Sequence, residues 1–89
     1  MDAGFGQAGI NLFPNPTTGA FQMDFSNLAG QDVRVVATDA TGKVVMVKEI
    51  ANVTGQVERF EIANHAAGLY LIRVETANGT FSGRLAITQ

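Results

Sequence analysis

Apolar and polar residues alternate along most of this chain, in short runs separated by turn-forming residues. The run AFQMDF places Phe21, Met23 and Phe25 on one face and Gln22 and Asp24 on the other. Such alternation is typical of a β-strand that buries one face. Counting a short segment at INLF, about seven strands follow one another at a spacing of roughly 8 to 12 residues. The sequence therefore predicts an all-β fold, an antiparallel β-sandwich.

Turn-forming residues mark two hairpins within this pattern. The segment DATG has Asp39 at the first and Gly42 at the last position of a type I turn, and Lys43 begins the next strand. The segment ANGT carries Asn78 and Gly79, a dipeptide that tolerates the positive φ values of a tight hairpin. Both segments are interpreted as structural turns.

Two strands carry more specific signals. The run KVVMVKEI is apolar on both sides for much of its length, which predicts a strand in the middle of a sheet. In the run AAGLYLIRV, Gly68 permits an unusual backbone conformation just before a strand. Tyr70 can then bury its ring while its hydroxyl bonds back to the preceding loop, as in the tyrosine corner of immunoglobulin-like sandwiches. The predicted sandwich is accordingly of the immunoglobulin-like type, and Gly68 and Tyr70 are interpreted as structural.

Composition narrows the possible functions. The chain has 89 residues, 16% of them charged, and a net charge of -2. A chain of this length makes one domain, and without a basic patch it is not expected to bind nucleic acid. Cysteine is absent, which removes disulfides, thiolate nucleophiles and thiolate metal sites. Residues 1–9 are glycine-rich and lack the pattern of a signal peptide, so we interpret them as a linker or a remnant of cloning ahead of a domain at 10–89.

Candidate catalytic residues are few. His65 is the only histidine, and no cysteine or second histidine is available to share a metal or a proton with it. The carboxylates are scattered singly, and no serine lies in a nucleophile elbow. The sequence therefore predicts a non-catalytic domain with no cofactor and no metal.

The segment LFPNPTTG opens the domain unusually stiffly. Pro14 and Pro16 fix their own φ angles, and they bias Phe13 and Asn15 away from helix. In one interpretation the prolines set the path of the first strand and limit edge pairing there. In the other, the stiff segment is also presented to a protein that recognises the domain.

Three segments in this order resemble the type IX secretion system (Por secretion system) C-terminal sorting domain, of type A. They are LFPNPTTGAFQMDF, VRVVATDATGKVVMVKEI and AAGLYLIRVETANGTFSGRLAITQ. The landmarks shared with that family are Pro14-Asn15-Pro16, the turn from Asp39 to Lys43, Gly68-Leu69-Tyr70, and Arg84 in the last strand. The resemblance covers residues 10 to 89.

The resemblance implies an immunoglobulin-like sandwich that acts as an address label. It implies a cargo domain covalently linked on the N-terminal side, passage through the periplasm of a Gram-negative bacterium, and recognition by the outer-membrane translocation machinery. A sortase-like peptidase would then remove the domain and leave the cargo secreted or at the cell surface. The alternative is a non-catalytic adhesive or glycan-binding module attached to an extracellular enzyme. As recognition residues we predict Pro14, Asn15 and Pro16, together with Ser82, Arg84 and Thr88 on a last strand that can lie at a sheet edge.

Overall fold

The described part of the chain contains seven strands and one 3-10 turn, joined by loops. The computed structural model describes residues 12–55, 57–62 and 66–88. The interpretation of residues 1–9, the first residues of the INLF segment and His65 all lie outside these ranges. The strands are β1 (Leu12–Phe13), β2 (Ala20–Asp24), β3 (Val33–Thr38), β4 (Val44–Ile50), β5 (Val57–Glu61), β6 (Gly68–Thr76) and β7 (Gly79–Ile87), with a 3-10 turn at Ser26–Leu28.

The strands pair in two antiparallel sheets, which confirms the all-β sandwich. One sheet has three strands in the order β1-β2-β5, and the other has four in the order β4-β3-β6-β7. The longest pairing joins β6 and β7, from Gly68 opposite Ile87 to Thr76 opposite Gly79. No helix in the described residues has the length and apolar character needed to cross a bilayer.

The core lies between the two sheets and takes the faces that the alternation predicts. Aromatic side chains from β2 and β5 dominate one side, where the rings of Phe21 and Phe60 stack with their centroids 5.5 Å apart. Leu28 and Val53 also belong to it, although they lie outside the strands. The core residues are Phe21, Met23, Phe25, Leu28, Val33, Val35, Ala37, Val53, Phe60, Ile62, Tyr70, Ile72, Val74, Leu85 and Ile87.

Strand β4 lies at a sheet edge, so the prediction of a mid-sheet position is wrong. It pairs only with β3, and the register shifts between Ala37 and Thr38. Val44 and Val47 are exposed, whereas Met46 packs against the core. The apolar residues of β4 thus lie on both of its faces, although only one of its two edges is paired with another strand.

Both predicted hairpin turns form. The DATG turn forms, since the N–H of Gly42 donates to the carbonyl of Asp39 at 3.0 Å. The second hairpin closes through Ala77 and Asn78, with Thr76 paired opposite Gly79. Gly79 has a φ of 143°, but Asn78 is not among the residues with positive φ. Within this dipeptide, therefore, the glycine takes the positive φ value.

Candidate functional site: the outer edge of the last strand

Strand β7 is an edge of the four-stranded sheet, and part of its outer side is covered by residues 14–17, which we call the edge segment. Edge strands carry unpaired N–H and C=O groups that invite pairing with another chain. Thr17 forms a parallel bridge with Ile87. The Phe13–Pro14 and Asn15–Pro16 peptide bonds within and before this segment are cis.

Asn15 occupies the position that a backbone peptide of a neighbouring strand would take. Its Nδ2 donates to the carbonyl of Arg84 at 2.8 Å, and its Oδ1 accepts from the N–H of Ala86 at 3.0 Å. A side-chain carboxamide has the same donor and acceptor groups as a peptide unit, so it can continue a β-ladder without a strand. Asn15 thereby satisfies two outward groups of β7.

Thr17 extends this pairing by one more residue. Its N–H donates to the carbonyl of Ala86 at 2.9 Å, and its carbonyl accepts from the N–H of Thr88 at 2.7 Å. Thr17 is the buried polar residue of the described chain, and its hydroxyl donates to the carbonyl of Ala20 while accepting from the N–H of Gly19 at 3.2 Å. Thr17 therefore ties β7 to the start of β2.

The structure brings two predicted groups of recognition residues together. Asn15 contacts the backbone at Arg84, and the hydroxyl of Thr88 donates to the carbonyl of Thr17 at 3.4 Å. The sequence predicted both groups as recognition residues but not their contact with each other, and it did not predict that Thr17 is the buried residue connecting them. Pro14 and Pro16 flank Asn15 and are exposed.

Ser82 lies further along β7, where the edge has no partner among the described residues. It pairs with Arg73 of β6 on the inner side of the strand. Beyond Arg84 towards the start of β7, the structure gives the outward backbone groups no hydrogen bond from any part of the chain it describes. Among the described residues, the edge of β7 is thus covered at residues 84–88, and the outer side of residues 80–83 has no hydrogen-bonding partner.

The Asp39 turn and the Tyr70 corner hold the loops at the same end of the sheet. The Asp39 carboxylate accepts from the N–H of Thr41 at 2.9 Å, the hydroxyl of Thr41 at 2.6 Å and the N–H of Lys43 at 3.0 Å. The Thr41 hydroxyl is the largest of the causes that lower the pKa of Asp39 below its ordinary value. The hydroxyl of Tyr70 donates to the carbonyl of Ala66 at 2.5 Å, which is the geometry expected of a tyrosine corner.

The described residues contain no cluster of metal-binding side chains, and their large exposed hydrophobic side chains are aliphatic. No group of three or more His, Cys, Asp or Glu side chains within them could hold a metal ion. The large exposed hydrophobic residues are valines and leucines rather than aromatics.

Comparison with solved structures supports the fold. The chain is similar to a DUF3244 family protein with an immunoglobulin-like β-sandwich fold from Bacteroides vulgatus ATCC 8482, with a TM-score of 0.71 and 21% sequence identity. The alignment covers 94% of this chain and 89% of that one. The immunoglobulin-like sandwich is thereby confirmed. No curated protein matches the chain significantly.

Comparison with protein families identifies the chain more closely. The model of the secretion system C-terminal sorting domain matches residues 11–88. That range includes the edge segment, both predicted turns, the tyrosine corner and all of β7. The chain therefore belongs to the family of type IX secretion system C-terminal sorting domains.

Proposed function

We propose that this domain is a non-catalytic address label that directs a covalently linked N-terminal cargo across the outer membrane by the type IX secretion system. The family match over residues 11–88 is the observation that carries the proposal. The cargo crosses the periplasm of a Gram-negative bacterium, and the folded domain is then bound by the outer-membrane translocation machinery. A sortase-like peptidase removes the domain, and the cargo is released or stays at the cell surface.

The edge of β7 is the part of the domain that we assign to recognition. Asn15 and Thr17 close one half of the edge, and in the part of the chain that the structure describes nothing pairs with the outer side of residues 80–83. A short open edge is long enough for a partner to add a strand but too short to promote indiscriminate aggregation. The recognition residues we propose are Pro14, Asn15, Pro16, Ser82, Arg84 and Thr88.

A glycan-binding or adhesive module is the competing function, and the surface argues against the glycan-binding form. Sugar platforms are built from exposed aromatic rings. In the described residues, Phe21, Phe25, Phe60 and Tyr70 are buried, and Phe81 packs against the core. Measurable affinity for a polysaccharide would nevertheless move this function ahead of sorting.

Export of a reporter tests the proposal directly. A reporter protein is fused ahead of residues 1–89 and expressed in a bacterium with an intact type IX system and in the same strain lacking its outer-membrane translocon. We expect the reporter at the surface or in the medium only in the intact strain, and without the domain. Retention in the periplasm of the intact strain, beside a known label that is exported, would overturn the proposal.

Replacing Pro14 and Pro16 by alanine separates the two interpretations of the stiff segment. If the double variant unfolds at the wild-type urea concentration but its fusion stays in the periplasm, the prolines are read by the machinery. If stability and export fall together, the prolines only place Asn15 against β7. Single alanine variants then show which proline is responsible.

A further inference from the structure

The outer face of the four-stranded sheet is apolar at one end. Cross-strand pairing places Thr38 of β3 between Val44 of β4 and Leu71 of β6. Leu71 is in turn paired with Arg84 of β7, and Leu69 lies two residues away from Leu71 on the same face of β6. These side chains point away from the core, because Tyr70 and Ile72 take the inward positions.

Four exposed side chains form what we call the aliphatic patch: Val44, Val47, Leu69 and Leu71. Their exposed fractions are 51%, 46%, 58% and 39%, respectively. Val36 pairs with Val47 and is only 4% exposed, yet it is not part of the core cluster between the sheets. A single exposed valine needs no explanation, but several exposed aliphatic side chains on one face of a sheet are typical of an interaction surface.

The charges at the other end of this face are mutually paired. The Nε of Arg34 lies 4.0 Å from the Oε2 of Glu49, and the Nη2 of Arg73 lies 3.1 Å from the Oε2 of Glu75. Arg84, beside the aliphatic patch, makes no ion pair within the residues that the structure describes. Arg84 therefore has no carboxylate partner among the described residues, and the exposed Lys43, next to Val44, is a second cation beside the patch.

A shallow depression joins Arg84 to the patch. It has a volume of about 340 Å³, and Leu69, Leu71, Arg84 and the turn that begins at Asp39 line it. The Asp39 carboxylate is occupied by hydrogen bonds from Thr41 and Lys43 within its own turn. The depression thus offers an apolar floor with a guanidinium on one side.

We propose that the aliphatic patch docks a polypeptide segment of the export machinery that carries a branched aliphatic side chain close to a carboxylate. The aliphatic group would fill the depression over Leu69 and Leu71, and the carboxylate would accept the two parallel hydrogen bonds that a guanidinium offers. An anionic lipid surface is a poorer match, because the chain carries a net charge of -2. This inference rests on the proposed function and names the surface and the kind of partner involved.

The test compares export of variant fusions in the intact type IX strain. Leu69→Thr combined with Leu71→Thr removes apolar contact while keeping residues that favour strands. Arg84→Glu reverses the flanking charge, and Glu49→Gln is the matched control at the charged end of the same face. We expect the leucine and arginine variants to leave most of the reporter in the periplasm and the Glu49 variant to be exported like the wild type.

Urea unfolding of each variant of residues 1–89 identifies any loss of export that reflects unfolding. Arg84→Gln and Leu69→Thr alone serve as milder replacements.

Each contrary outcome has a distinct meaning. If the wild-type fusion fails, the proposed function itself falls. If the wild type is exported and folded patch variants are exported equally well, only the docking surface is refuted. If the wild type is a dimer in solution, and the leucine variant is monomeric with normal export, the patch is a contact between copies and the inference is overturned. Loss of binding to phosphatidylglycerol vesicles with normal export would overturn it in favour of a lipid surface.

Discussion

The side chain of Asn15 makes two hydrogen bonds to β7 that the backbone of a neighbouring strand would otherwise make. Its carboxamide bonds to the carbonyl of Arg84 and the N–H of Ala86, and it is held between two prolines that restrict the chain on either side. The segment around it needs only a few residues to cover the edge of β7. Residues 14–17 are thus an edge-covering device as well as a candidate recognition element.

Replacing Asn15 by alanine tests the strength of this device. We expect Asn15→Ala to lower the free energy of unfolding by about 1 to 2 kcal/mol, since two hydrogen bonds to β7 are lost. Asn78→Ser is a matched control, because Asn78 is also exposed and its amide makes a single side-chain contact, to Gln31 at 3.2 Å. Urea denaturation measures both variants, and equal losses would show that Asn15 has no special role at the edge.

The Asp39 turn is expected to make the stability of the domain depend on pH. Hydrogen bonds lower the pKa of Asp39 from its ordinary value of 3.8, and the bond from the Thr41 hydroxyl has the largest effect. Because the folded pKa is the lower one, the stabilisation is complete above the unfolded pKa and is lost as the pH falls through the folded pKa. We expect the stability advantage of the wild type over Asp39→Asn to shrink below about pH 4. Urea unfolding at neutral and acidic pH measures it, and a constant difference would contradict the assignment.

At the scale of elements, β4 shows how an apolar edge strand is kept from pairing with other chains. Lys48 lies opposite Val35, a core residue, so its side chain is on the inward face of the sheet. Its Nζ lies 5.1 Å from the centroid of the Phe60 ring, across the opening between the sheets. An inward-pointing charge of this kind is a recognised protection of sheet edges.

Replacing Lys48 by valine removes that protection. We expect Lys48→Val to change the free energy of unfolding by less than about 1 kcal/mol, the usual strength of an exposed cation–π contact. Light scattering at rising protein concentration is expected to reveal association, while Lys48→Arg, which keeps the charge, stays monomeric. A monodisperse Lys48→Val protein would indicate that the register shift between Ala37 and Thr38 is sufficient to block pairing at this edge.

The elements also show which parts of the fold the sequence could reveal. Alternation correctly assigns the buried faces of β2, β5 and β6, because side chains on a strand point to opposite sides in turn. It places β4 wrongly, since local pattern does not report which edges are paired. It also misses Val53, which is buried from a loop held by hydrogen bonds to Gly30 and Gln31. The contact of Asn15 with β7 joins residues 69 and 71 positions apart, and only the topology brings them together.

At the scale of the whole molecule, Phe60 connects the two sheets. It is 3% exposed, stacks on Phe21, meets Phe25 edge to face with centroids 6.2 Å apart, and lies beneath Lys48 of the opposite sheet. Truncation of a buried phenylalanine costs about 3 to 5 kcal/mol. A domain of this length has little stability to lose, so such a loss would leave a large unfolded fraction.

Phe60→Ala therefore tests whether the label is read as a folded surface or as a linear segment. The edge of β7, Asn15 and the aliphatic patch are distant in sequence and adjoin only in the folded sheet, so we expect the Phe60→Ala fusion to remain in the periplasm. Phe60→Leu keeps most of the buried volume and is expected to retain both stability and export. Urea unfolding of residues 1–89 and surface display of the fusion are measured in parallel. Normal export of an unfolded Phe60→Ala domain would mean that the machinery reads a contiguous stretch of residues, and that none of the surfaces assembled by the fold is required.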